Sequence, residues 1–458
     1  MSSIERLLAH KAVMFLLSLV VAVGVTALAR QPGAKDSQVY VLFILIFAVG
    51  LWLTEAIPAF AVSLLTMAFL VLFLGNEHLN SQPENIDKYV NTFSSSVIWL
   101  LLGGFFLAAA MTKTRLDTVL FRFAVKISGR RPRNLLTGLM FTTALASMLM
   151  SNSATTAMVI AAVTPLVVSL GERSGFAKAL LLGIPTAAAT GGMGTIIGSP
   201  PNAIAVGALE HFGITVTFFG WMKYGVPLAL LLTAISCWVL IRLFVQDDLN
   251  VPVALFEERQ PDSTPEALRD RRVVVAVIVA TVGLWLTTSL HGVSVGTICA
   301  IPLVILTLTG VLEGEDVRRL PWDTLLLVAG GLSLGLALEE TNLLAVFTRG
   351  LMAAETGPLL LMFSLAFVTM LASNIMSNSA ASAVMVPIGI AILTGFETEG
   401  ALIIAFSASS AMFLPVSTPP NAIVYATGLV EQASFRVIGT LNGLLGPVLA
   451  VIWVLLTK

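Results

Sequence analysis

Long apolar stretches separated by short polar ones run the length of the chain, near residues 12 to 29, 39 to 57, 58 to 75, 95 to 111, 178 to 209, 224 to 245, 272 to 290, 294 to 312, 323 to 338, 400 to 427 and 436 to 456. Each approaches the roughly 20 residues a helix needs to cross a bilayer, so the pattern predicts eleven membrane-spanning helices. Two further segments, 134–170 and 358–394, are pairs of apolar arms with a polar phrase at the bend, and predict helical hairpins. The first bend reads Ser151, Asn152, Ser153, Ala154; the second repeats it as Ser377, Asn378, Ser379, Ala380. Downstream of each lies a second paired phrase, Ser199, Pro200, Pro201, Asn202, Ala203, Ile204 and then Thr418, Pro419, Pro420, Asn421, Ala422, Ile423. Two phrases repeated in the same order mark two halves. The expected fold is an all-α polytopic membrane protein of eleven transmembrane helices plus two helical hairpins. Residues 1–38 hold a cytoplasmic N-terminal segment and the first span. Residues 39–245 form repeat 1, 246–271 a linker and 272–458 repeat 2.

Composition agrees: 57% hydrophobic against 11% charged residues and a mean hydropathy of +0.94 lie far outside the range of soluble domains. The net charge of -1 lacks the basic footprint of a nucleic-acid binder. Arg6 and Lys11 precede an apolar run ending in Ala27, Leu28, Ala29, as in a secretory signal; the run is long for one and is counted as the first span. Cys237 and Cys299 sit alone in apolar runs and read as lipid-facing or packed thiols.

Charge also orients the chain, because Lys and Arg collect in cytoplasmic loops. Before the first hairpin come Lys113, Arg115, Arg122, Lys126, Arg130, Arg131 and Arg133 against Asp117 alone. The equivalent stretch of the second half carries Glu339, Glu340 and Glu355 with only Arg349. Opposite charge bias, and five spans per repeat, predict inverted-topology repeats in the inner (plasma) membrane, with the N-terminus cytoplasmic and the C-terminus external. The linker, with Pro252, Pro261 and Pro265 among mixed charges, is too short for a domain with its own core.

Catalytic signatures are missing from the sequence: no Walker-type glycine loop, no His-Glu-x-x-His and no paired cysteines at metal spacing. Gly192, Met193, Gly194 and Gly198 have the wrong spacing for a dinucleotide loop and read as close helix packing or local unwinding. An enzyme is therefore not expected. Polar phrases at membrane depth can be interhelical glue, but symmetric broken helices are the strongest sequence pointer to a transport site. Ser, Asn and Thr are good N-caps and Pro suits a first helical turn, so each phrase can start a half-helix. Four such N-termini would each present about half a positive charge, together roughly two, which suits a divalent anion. Between Asn134 and Lys178 the only charges are Glu172 and Arg173, and between Pro358 and Glu397 there are none. A proton-coupled carrier is expected to keep an ionisable group at its site. Neutral oxygens of Ser147, Ser151, Asn152, Ser373 and Asn378, with carbonyls freed at the helix breaks, favour Na⁺ instead. A channel would need a continuous polar path, which hairpin tips meeting at mid-membrane argue against.

The four phrases in register resemble the divalent anion/sodium symporter family, the INDY-like sodium-coupled dicarboxylate transporters, over nearly the whole chain from about residue 40. The resemblance implies one sodium site at Ser147, Ser151, Asn152 and the Gly198 backbone, and another at Ser373, the Met376 carbonyl, Asn378 and Pro419. Substrate carboxylates would meet Asn152, Ser153, Ser199 and Pro200 from one half, and Asn378, Ser379, Thr418 and Pro419 from the other. It further implies a homodimer that carries a C4-dicarboxylate such as succinate, malate or fumarate into the cell with sodium by an elevator motion, using two or more Na⁺ sites. A sodium-independent exchanger, or a carrier of sulfate, citrate or another oxyanion, stays open. The chain departs from the family at Ser153 and Ser379, where the hairpin tips usually carry threonine, which leaves a roomier pocket. Trp52 and Trp285 read as interfacial anchors, and Glu55 as an acid at a span end.

Overall fold

The computed structural model describes residues 3–30, 33–171, 174–245, 251, 264–344 and 357–458. Most of the expected linker, together with Glu172, Arg173, Arg349 and Glu355, lies outside the described residues. Among those described there is no strand; eighteen principal helices carry the fold. They are α1 (Ser3–Ala29), α2 (Asp36–Thr54), α3 (Ala59–Gly75), α4 (Ser96–Lys113), α5 (Leu116–Ser128), α6 (Pro132–Ser147), α7 (Asn152–Leu170), α8 (Gly175–Gly192) and α9 (Pro200–His211). Then follow α10 (Phe218–Phe244), α11 (Pro265–Leu286), α12 (Ala300–Leu308), α13 (Trp322–Glu340), α14 (Pro358–Ile375), α15 (Asn378–Ile392), α16 (Glu397–Ser409), α17 (Pro419–Ala426) and α18 (Gln432–Leu456). Eight helices are long and apolar enough to cross a membrane, and shorter apolar helices at Ala59–Gly75, Val295–Leu308 and Asn378–Ile392 add to them. The protein is a multi-pass membrane protein.

Each sequence-predicted span has its helix, with two informative differences. The stretches 178–209 and 400–427 are each two helices, α8 with α9 and α16 with α17, separated by a non-helical crossing. Proline explains the restart, since Pro200 and Pro419 open α9 and α17 where a missing N–H leaves no bond unmade. The basic stretch before the first hairpin forms α5, whose Phe123 and Ile127 are exposed beside Arg122 and Lys126. At 13 residues it is too short to span, and its mixed faces suit a membrane surface.

The hairpins are α6 with α7 and α14 with α15. The return arm of each packs on two broken helices, one from each half. Arm α7 lies on α8 of its own half and on α17 of the other, while α15 lies on α16 and on α9. These crossed contacts lock the four half-helices into one buried centre, in which nearly every residue of α8, α9 and α16 is buried. The outer helices form a second group, with α1, α2, α3 and α13 packed in series and α4, α11 and α12 beside them.

The tryptophans read as interfacial anchors are instead buried. Trp52 donates from Nε1 to Ala59 O at 3.3 Å and Trp285 to Val295 O at 3.3 Å, so each ties the end of its helix to the start of the next segment. An indole buried at a turn satisfies its N–H on the backbone it crosses, which removes the reason to sit at the lipid headgroups. Glu55 is exposed at the left-handed C-cap of α2, and both cysteines are buried free thiols.

Candidate functional site

Both hairpin bends are built in the same way. Helix α6 ends at Ser147, the chain turns, and Ser151 caps α7 by accepting from Ala154 N at 3.2 Å. In the second half α14 ends at Ile375 and Ser377 caps α15 by accepting from Ala380 N at 3.2 Å. Ser and Asn are consecutive, so capping by the serine leaves the asparagine side chain free to turn inward from the first helical position.

That inward turn builds the first cluster. Ser147 Oγ donates its one proton to Ala188 O at 2.8 Å. The Asn152 amide turns Nδ2 to this corner, donating to Ser147 Oγ at 2.6 Å and lying 3.1 Å from both Gly198 O and Ala188 O. The cluster gathers a serine hydroxyl, an asparagine amide and carbonyls freed at a helix break, neutral donors of the type that a hard cation such as Na⁺ takes.

Glycine makes the approach possible. A Cβ on Gly198 would stand 2.6 Å from Gly192 O and 3.1 Å from Ser147 O, and one on Gly192 would stand 2.9 Å from both Asn152 Nδ2 and Gly198 O. The crossing itself is held by Asn202 of the second phrase and by residues outside the phrases. Asn202 Nδ2 donates to Gly192 O at 2.8 Å and Thr195 O at 2.7 Å, Trp221 Nε1 donates to Met193 O at 2.9 Å, and Thr195 Oγ1 donates to Met148 O.

The second cluster repeats the first. Ser373 Oγ lies 2.8 Å from Asn378 Oδ1 and 2.9 Å from Ala408 O, its single proton shared between the two. Asn421 Nδ2 donates to Met412 O at 3.1 Å and Leu414 O at 3.4 Å, as Asn202 does across the other crossing. The clusters differ at one corner. Where the first half has Met148, the second has Asn374, whose Oδ1 accepts from Phe413 N at 2.9 Å and from Ser417 Oγ at 3.1 Å.

The structure thus brings together Ser147, Asn152 and Gly198 in one cluster and Ser373 and Asn378 in the other. Ser151 is spent on capping α7, although its exposed oxygen borders the same bend. Met376, buried and extended, places its carbonyl one residue before the capping Ser377. Thr418 is buried and caps α17 by accepting from Asn421 N at 3.3 Å, whereas Ser199 makes no side-chain cap. Ser153 and Ser379 are half-buried and have no hydrogen bond among the described residues, so their hydroxyls stay available. Pro200 and Pro419 border the starts of α9 and α17 with no polar side-chain atom of their own. Sequence reasoning missed Ala188 and Ala408, which act through carbonyls and leave no side-chain signal. It also missed Asn374, Thr195 and Trp221, and gave Asn202 and Asn421 no role although the paired phrases contained them. The nearest carboxylate on α9, Glu210, is held at the far end of that helix by Ser96 Oγ at 2.5 Å and Ser95 Oγ at 3.3 Å.

A family model described as a citrate transporter matches residues 49–402. The sodium-dependent dicarboxylate transporter SdcS of Staphylococcus saprophyticus is 30% identical over 93% of this chain and 88% of its own length. SdcS of Staphylococcus aureus strain USA300 is 28% identical over 90% and 85%. Among solved structures, the Alcanivorax borkumensis YdaH transporter shares the fold with a TM-score of 0.55 at 15% identity, covering 87% of this chain and 96% of that one. MtrF of Neisseria gonorrhoeae, described with a class of antimetabolite efflux pumps, gives 0.55 at 13% identity, covering 89% and 94%.

Proposed function

The chain belongs to the citrate-transporter family and is a membrane transporter, not an enzyme; from that premise we propose that it is a sodium-coupled symporter of a C4-dicarboxylate such as succinate, malate or fumarate. The observation that carries this reading is the doubled cluster in which a serine and an asparagine from a hairpin bend meet a backbone carbonyl of a broken helix. The relatives named for sodium-dependent dicarboxylate transport align over nine-tenths of the chain and support the same cargo.

Ser147, Asn152 and Gly198, with Ser151 at the rim, would hold one ion; Ser373, Asn378 and the Met376 carbonyl, with Pro419 alongside, would hold the other. Bound sodium would supply positive charge to offset the anion, since none of the residues assigned to either cluster is basic. The dicarboxylate would take the N–H groups and hydroxyls at the starts of α7, α9, α15 and α17, from Asn152, Ser153, Ser199 and Pro200 on one side and Asn378, Ser379, Thr418 and Pro419 on the other. Helix N-termini bind carboxylates through unpaired N–H groups and the helix dipole. The two halves, 39–245 and 272–458, act as inverted repeats with the N-terminus cytoplasmic and the C-terminus external. The hairpins and broken helices, with α10 and α18, move as one body against α1 to α4 and α11 to α13 in a homodimer. The crossed packing of the four half-helices supports such a unit.

The test is uptake of radiolabelled succinate into proteoliposomes under an inward Na⁺ gradient, against equal K⁺, with Asn152→Ala and Asn378→Ala. Uptake that needs Na⁺ and is lost in both variants is expected. Uptake indifferent to sodium but dependent on internal dicarboxylate would identify an exchanger and overturn the cation sites. The family's description makes citrate the first competitor to add: inhibition by citrate with no succinate transport would move the substrate class.

A further inference from the structure

Three hydroxyls in the hairpin return arms, those of Thr155, Thr156 and Ser382, are fully buried without a partner, and two of them occupy matching positions. Thr156 on α7 and Ser382 on α15 are each 0% exposed, and neither oxygen has a hydrogen-bond partner. Several other buried helical hydroxyls close onto the carbonyl four residues back, although Thr281, Thr369, Ser407 and Ser409 do not. Thr143 does so to Leu139 O at 2.7 Å, Thr186 to Leu182 O at 2.8 Å and Thr233 to Ala229 O at 2.8 Å. The corresponding carbonyls for Thr156 and Ser382 belong to Asn152 and Asn378, and neither hydroxyl takes them.

Their position is shared although the local sequences differ. The first arm opens Ser151, Asn152, Ser153, Ala154, Thr155, Thr156 and the second Ser377, Asn378, Ser379, Ala380, Ala381, Ser382. Thr155 is also buried and unpartnered, but Ala381 stands opposite it in the repeat. Among the buried, unpartnered hydroxyls of the two arms, only the position four after the asparagine is matched in both halves. On a helix that spacing puts the two side chains one turn apart on the same face. Thr156 and Ser382 therefore lie directly above the amides that build the two oxygen clusters. A buried polar atom without a partner carries an uncompensated desolvation cost, and an ion or ordered water is the usual reason it persists.

We propose that Thr156 and Ser382 are further cation ligands, each adding its hydroxyl oxygen to the set around Asn152 or Asn378 so that each sodium pocket extends one helical turn into the return arm. The proposal rests on the sodium-coupled reading above.

Thermal unfolding of the purified protein, titrated with NaCl against KCl at constant ionic strength, separates the two ideas without any transport assay. The wild-type protein should gain Tm with Na⁺ and not with K⁺. Thr156→Val and Ser382→Ala should raise Tm in the absence of sodium, because a methyl group has no desolvation cost there. Both should need about tenfold or more Na⁺ for the half-maximal shift, the loss expected for one polar contact to a charge. Thr156→Ser and Ser382→Thr keep the hydroxyl and should keep the wild-type midpoint. Should either apolar variant fail to fold, Thr156→Cys or Ser382→Cys replaces the oxygen with a sulfur that ligates sodium poorly, and should raise the midpoint equally. Apolar or Cys variants with the wild-type sodium midpoint would overturn the proposal while leaving sodium coupling intact. A wild-type protein whose Tm ignores Na⁺ would overturn the sodium reading itself, and this assignment with it.

Discussion

Replacing Ser147 with alanine removes a fully buried hydroxyl that donates to Ala188 O at 2.8 Å and accepts from the Asn152 amide at 2.6 Å. Each hydrogen bond contributes about 1 kcal/mol net, and a buried partner left unsatisfied costs about 1–3 kcal/mol. Because Asn152 Nδ2 also reaches Ala188 O and Gly198 O, one of the two losses is partly recovered, and Ser147→Ala should destabilise by roughly 2–4 kcal/mol. The effect on sodium is separate. A hydroxyl dipole facing a charge contributes about 1.5–3 kcal/mol, and about 1.4 kcal/mol is a factor of ten, so the half-saturating Na⁺ concentration should rise by roughly 10- to 100-fold. Thermal unfolding without sodium reads the first quantity, and sodium-dependent uptake at saturating succinate reads the second. Ser236→Ala is the control: Ser236 is equally buried and pairs with Asn442 Nδ2 at 3.1 Å, away from both clusters. It should lower Tm and leave the sodium midpoint unchanged. If Ser147→Ala keeps the wild-type midpoint, or Ser236→Ala shifts it as far, Ser147 is structural and the first cation site is misplaced.

Three other outcomes are expected. Gly198→Ala forces a Cβ to within 2.6 Å of Gly192 O and should abolish uptake, whereas Gly24→Ala, where nothing lies within 4 Å, should be neutral or stabilising by up to about 1 kcal/mol; Tm and uptake measured together check both. Ser153→Thr and Ser379→Thr add a methyl group at each hairpin tip and should weaken a larger anion such as citrate more than succinate, by about 10-fold or more, as competition assays would read. Asp117 on the surface helix α5 is pushed above the usual carboxylate range by burial, against the opposing hydrogen bonds of Thr118 and the charge of Arg115. Its stabilising contribution is therefore present below the ordinary aspartate pKa and lost as pH rises through the raised folded value; Asp117→Asn should unfold at higher temperature than wild type at neutral pH, with the gap closing in acid.

The paired phrases made the hairpins and helix breaks legible because their chemistry is local. Ser151, Ser377 and Thr418 are helix caps wherever they sit, and Pro200 and Pro419 start helices for the same reason. Hydropathy alone marked 178–209 and 400–427 as spans, since an apolar window does not register a non-helical crossing of seven to nine residues, one with Gly194 and Gly198 and the other with Pro415. Helix α5 escaped because charge dominated its reading, while its apolar face shows only at a period of 3.6. Trp52 and Trp285 misled for the opposite reason: residue type fits the headgroup region equally well, and only the fold reveals a backbone carbonyl within reach of each indole. Ala188 and Ala408 have no side-chain chemistry to read; their carbonyls matter because Gly192 and Gly198 let the bend approach α8, and because α14 closes on α16.

The crossed packing of the return arms has a consequence for how the chain is made. Arm α7 rests on α17, which lies more than half a chain further along, and α9 waits for α15. During synthesis the first half must therefore wait with two apolar faces uncovered, that of α7 carrying Val159 and Val163 and that of α9 carrying Ala203 and Ile204, until residues near 378 and 419 arrive. Ser147, Asn152, Ala188 and Gly198 all belong to the first half, so the first cluster can close early; a ribosome that stalls between the halves leaves the apolar faces of α7 and α9 without the helices that cover them.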